Sequence, residues 1–261
     1  MPTAFPAYMA GLGKPVGTLT YVATWFARRR PLAELPRLKP RSERSPVARV
    51  DLHDLTPDPS SYLGQAAYLQ LVSFQALSSV ITADPSLADK QRLAAPAASA
   101  LEKYEAFTTE IHRRDGDPLE VMAPFTRGAE RLYALVQGAD WIETLLAVLV
   151  TSGLLEDFFI RVSGGLPADL GLRSEQILLT RRKGDDGVLE VLRSEIERDS
   201  ELTSRLAVWG RRLVGDTLLI ARSVLRGYDR LEASEEREIE PIFTELIADH
   251  TRRMDSLGLT A

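Results

Sequence analysis

Three histidines, His53, His112 and His250, are the only imidazoles in the chain, and their surroundings limit the metal chemistry it can support. A helical bundle that holds a pair of metal ions needs Glu-x-x-His on two of its helices. Side chains at i and i+3 share a face there and converge on one ion. Three residues before each histidine stand Val50, Thr109 and Ile247, so no Glu-x-x-His occurs. The chain has no cysteine, which removes thiolate ligands and disulfides. No P-loop, dinucleotide fingerprint, nucleophile elbow or His-Glu metalloprotease string is present.

The remaining polar candidates have plain structural expectations. His112 follows Glu110 near a helix end and is expected to be solvated. His250, beside Asp249, is expected to be a buried, hydrogen-bonded histidine. Asp216 lies in the apolar string Leu213-Val214-Gly215-Asp216-Thr217-Leu218-Leu219, and Arg211 or Arg212 one turn back is its natural ion-pair partner. Arg181-Arg182-Lys183 is expected in a solvated loop, with a phosphate contact as the alternative.

Hydrophobic periodicity supplies the elements that position these residues. From Ser60 or Ser61 as a cap, Ala66, Gln70, Phe74, Leu77 and Ile81 form one helical stripe that stops near Asp84-Pro85. A second helix is expected from about Leu87 to Arg114, kinked at Pro96. Asp117-Pro118, a cap followed by proline at the first helical position, opens a shorter helix to about Val136. Asp140 with Glu143 forms a capping box for a third long helix, which is apolar nearly all round and breaks at Gly164-Gly165. Being apolar on every side, it should be central. A fourth region runs from Ala168 to about Arg198, interrupted at Arg181 to Gly187. A fifth helix is expected over about Glu201 to Leu231, and a sixth from a Ser234 cap to Leu257, stopped by Gly258. No period-2 segment is long enough for a sheet, so the fold class is all-α.

Residues 1 to 50 differ from the rest. They hold seven of the fifteen prolines and carry nine Lys/Arg against two Asp/Glu, a balance of +7. The whole chain carries -5, so the remainder carries -12. We expect an extended basic tail over residues 1–50 and one helical domain over 51–261. An acidic body lacks the basic face of a general nucleic-acid binder. In the tail, Arg28-Arg29-Arg30 follow the apolar stretch Tyr21 to Ala27, the reverse of a secretory signal. We therefore expect a cytoplasmic protein without a transmembrane segment, with a short membrane-surface anchor in the tail as the competing view. No motif names a partner, and a homo-oligomer stays open.

Several strings taken together carry a resemblance. Ala207-Val208-Trp209-Gly210-Arg211-Arg212-Leu213-Val214-Gly215-Asp216 resembles the fifth-helix signature of the ferritin-like proteins of the MiaE-like tRNA hydroxylase family. His250-Thr251-Arg252-Arg253-Met254 followed by Leu257-Gly258-Leu259 is similar to that family's ending. Met122-Ala123-Pro124-Phe125 and Asp140-Trp141 match its middle, and the likeness covers about Val50 to Leu259. It implies a ferritin-like helical bundle with two additional C-terminal helices. The enzyme for which the family is named is a di-iron hydroxylase acting on a methylthio-isopentenyl-adenosine in tRNA.

Carried over one at a time, the family's metal positions hold the wrong residues. Where the first helix should supply Glu within Ala-Tyr-x-Glu-Leu, this chain has Ala67-Tyr68-Leu69-Gln70-Leu71. Where the second should supply Glu-x-x-His before an aromatic, Ala100 and Lys103 precede Tyr104. The acidic position on the third helix is Ser152, and on the fourth the Glu and His positions fall within Lys183 to Gly187. Metal ligands and catalytic residues are therefore expected to be absent, with Gln70, Ala100, Lys103 and Ser152 at former ligand positions. Lys103, if buried, needs a carboxylate, which Glu156, Asp157 or the fourth helix could supply, or must shift its pKa downward. The resulting expectation is a bundle with no cofactor and a binding or structural role. The alternative is a di-iron oxygenase hydroxylating a modified tRNA nucleoside, with metal relocated to Glu102, Glu105, Glu156 or Asp157.

Overall fold

The computed structural model describes residues 56–83, 85–180, 185–225 and 233–259. Two units divide the chain, Met1–Ala48 and Arg49–Ala261. The expected tail, His53 and the Arg181-Arg182-Lys183 run lie outside the described residues.

Helix α1 spans Pro59–Thr82, and its start differs from the expected serine cap. Asp58 caps it, accepting a hydrogen bond from the Ser61 backbone N–H at 3.0 Å, while Pro59 fills the first turn. Proline suits that position because its missing N–H would have no partner there, and its fixed φ is already helical. Helix α2, Leu87–His112, starts at Ser86, whose hydroxyl accepts from Asp89 N, and it runs through Pro96. The segment expected as one helix from 118 to 136 is two: α3, Pro118–Met122, and α4, Thr126–Val136, joined by a 3-10 turn over Ala123–Phe125. Pro124 lies in that turn, where a residue without an N–H breaks the α-helical ladder.

Helix α5, Trp141–Val162, matches expectation. Asp140 accepts from Glu143 N at 2.8 Å, and the Glu143 carboxylate reaches back to accept from Ala139 N at 2.8 Å. Every residue from Glu143 to Thr151 is buried, so no face of this stretch is left for solvent. A 3-10 turn over Ser163–Gly165 ends it. Helices α6, Ala168–Leu179, and α7, Asp185–Arg198, form the interrupted fourth region. Helix α8 spans Glu201–Val224 and α9 spans Ala233–Ser256, so Ser234 lies inside α9 rather than before it. The stop at Gly258 is as expected. Its φ of 70° is left-handed, and the Leu259 N–H bonds back to Met254 O at 3.0 Å.

Packing puts α5 at the centre. It contacts α1 and the α6 and α7 pair, with α2 completing the four-part bundle, while α8 and α9 cover its other side. The fold is an all-α bundle without strands among the described residues. Two apolar clusters fill it, one around Tyr62, Phe107 and Phe158, the other around Leu93, Leu146 and Leu206. Close approach is built in at Gly64, where a Cβ would meet the Val121 carbonyl oxygen at 2.5 Å, seating α3 against α1. No helix among the described residues is long and apolar enough to cross a membrane.

Candidate functional site

The four positions singled out from the sequence converge. Gln70 on α1, Ala100 and Lys103 on α2, and Ser152 on α5 line one cavity of about 50 Å³ between the helices. Spacing explains the convergence. Ala100 and Lys103 are three residues apart, as are Gln70 and Ser73, and Glu156 follows Ser152 by four, so each helix turns one stripe toward the centre.

Glu156 is the hub. Lys103 Nζ donates to both its oxygens, at 2.7 and 2.9 Å, and Gln70 Nε2 donates to Oε1 at 2.9 Å. The side chains of Lys103 and Glu156 are 9% and 12% exposed, so the pair is largely out of water. Glu156 is therefore the carboxylate that Lys103 required. Beside it, Ser73 Oγ bonds the Leu69 carbonyl at 2.9 Å and lies 2.7 Å from Ser152 Oγ. A hydroxyl has one proton, so if Ser73 spends it on the carbonyl, Ser152 donates to Ser73. Gln70 Oε1 is buried without a hydrogen-bond partner among the described residues. Ser73 was missed in the sequence, although its place one turn after Gln70 was the available signal.

From the fourth region, Val188 on α7 lines the cavity with an apolar side chain. Gly187 packs against α2, where a Cβ would meet Arg92 O at 2.5 Å, and Asp186 is exposed.

The relocated metal set is not assembled. Glu102 and Glu105 are exposed on α2. Asp157 is buried but faces α9, where the Arg253 guanidinium bonds its carboxylate and, at 3.3 Å, the Gly153 carbonyl. Among the described residues no three His, Asp or Glu side chains gather as a metal site. The donor set at the centre does not fit two metal ions. Among the described residues it offers an amide, an ammonium and the hydroxyls of Ser73 and Ser152 around one carboxylate, and the ammonium already neutralises that carboxylate.

His250 corrects its expectation in part. It is buried, at 3% exposure, but neither ring nitrogen has a hydrogen-bond partner among the described residues. Burial first, and then the neighbouring Arg253 cation, push its pKa down to about 4. The adjacent Asp249 is committed elsewhere, to Arg161 at 2.8 Å and to Arg252. His112 is exposed in the last turn of α2, as expected. Asp216 is half-buried on α8, and Arg212 lies over the Trp209 ring at 5.8 Å.

A helical bundle with a central polar cluster on facing helices defines the class. The family model described as "Ferritin-like domain, actinomycetes" matches residues 59–234, and the chain belongs to that family. No curated protein matches the chain significantly.

Proposed function

We propose that this protein is a ferritin-like bundle in which an internal salt bridge stands where relatives of the MiaE-like hydroxylase kind hold two irons, and that it serves a binding or structural role rather than oxygen chemistry. One observation carries the proposal: Lys103 Nζ bonds both oxygens of Glu156 at the centre of the bundle. A cation at that point repels a metal ion and occupies the one carboxylate among the described residues that line the cavity. Gln70 supports the same reading, because its amide is close in shape to a glutamate but neutral and donates to Glu156. Hydroxylation of a tRNA nucleoside would need several further carboxylates and imidazoles facing this cavity.

The test is dioxygen uptake. Purified protein given ferrous iron in air is expected to consume dioxygen no faster than ferrous iron alone, with no ferric absorption band. Faster uptake that disappears in Glu156→Ala would restore the oxygenase.

A further inference from the structure

A second cavity, on the other side of α1, is larger and differently lined. About 830 Å³ in volume, it lies between α1, α4 and α8, and Leu155 and Phe159 of α5 contribute to its wall. That volume falls in the range of about 300–1,000 Å³ usual for small-molecule sites. Leu155 and Phe159 are each 2% exposed, so the inner wall belongs to the core. On the α8 wall Leu219 is 60% exposed, a large apolar side chain at the edge of an apolar groove. Gly128, on the α4 wall, has open space, since a Cβ there would meet nothing within 4 Å.

Among the described lining residues of this groove the charge is net positive. Arg127 and Arg131, one turn apart on α4, line it, and both are exposed. Neither guanidinium forms an ion pair with a described residue; Arg131 Nε reaches the Arg127 carbonyl at 3.2 Å. Asp58, the one carboxylate among the described lining residues, already accepts from the Ser61 N–H as the cap of α1. An apolar trough with two arginines that no described carboxylate pairs matches a ligand with an aliphatic body and a single anionic head. Arginine binds a planar carboxylate through two parallel hydrogen bonds, which favours a carboxylate as that head. We propose that this groove binds an aliphatic carboxylate, one molecule per chain, independently of the Lys103–Glu156 pair.

Calorimetric titration of the full chain with decanoate and with decanol tests this directly. Saturable one-to-one binding of decanoate is expected, with decanol bound about tenfold more weakly. Arg127→Ala with Arg131→Ala should lower decanoate to the decanol level and leave decanol unchanged. Gly128 lines the groove and a Cβ there meets no atom within 4 Å, so Gly128→Phe should weaken binding of both while the melting temperature holds. Equal affinities of the native chain for the two probes, no saturable binding, or full binding by Gly128→Phe would overturn the proposal.

Discussion

Glu156→Leu is expected to destabilise the bundle by about 3 kcal/mol or more, because it leaves the Lys103 ammonium in the core without its counter-charge. Lys103→Met should cost a comparable amount, since it strips Glu156 of two hydrogen bonds and leaves, among the described residues, the one from Gln70. The double variant, Lys103→Met with Glu156→Leu, should recover most of the loss. Two apolar side chains of similar size remove both desolvation costs at once, and such replacements are often neutral or stabilising. Urea denaturation of the four proteins closes a double-mutant cycle. A coupling of several kcal/mol is the expected result. Single-variant losses below about 0.5 kcal/mol with no coupling would mean that the pair behaves like a solvated surface bridge.

His250 is expected to make the protein acid-sensitive. Its pKa is pushed from 6.5 in the unfolded chain down to about 4 in the folded one. Between those values the unfolded state binds the extra proton, so stability is fully present above pH 6.5 and is lost as pH falls toward 4. A shift of this size corresponds to about 3 kcal/mol at most, and screening by nearby charge and solvent reduces it to on the order of 2 kcal/mol. Other titrating groups lie near. Asp249 on the same helix would be raised by burial, but hydrogen bonds from Arg161 and Arg252 outweigh that and hold it below its usual range. Asp157 of α5 is engaged by Arg253. His250→Leu separates the contributions. Melting temperatures from pH 7 to pH 4 should fall less steeply in that variant than in the native chain, and identical slopes would assign the sensitivity to other groups.

The parts legible in the sequence were those set by local pattern. Helix α5 was readable because a continuous apolar run behind an Asp140 and Glu143 capping box has one good solution, a helix covered on every side. The left-handed stop at Gly258 was readable for the same kind of reason. Local pattern misjudged the start of α1, where Ser60 and Ser61 compete as caps with Asp58, and the sequence does not show that Pro59 decides between them. It also ran α3 and α4 together, since Pro124 is compatible with either a helix start or a break. At the centre, the residue types at Gln70, Ala100, Lys103 and Ser152 were visible, but the choice of Glu156 over Asp157 was not. Neighbours in sequence, these two acids point about 100° apart around a helix. Only the packing of α2 and α9 on different sides of α5 shows which one meets Lys103 and which meets Arg253. That His250 finds no hydrogen-bond partner among the described residues is likewise a tertiary fact, since Asp249 beside it is taken by two arginines.

Iron content bears most directly on the central claim that a Lys103–Glu156 pair stands in place of a metal centre. The full chain, expressed in iron-rich medium and purified without chelators, should carry well below one iron per chain by elemental analysis. Two tightly held irons per chain, lost in Glu156→Ala, would contradict it.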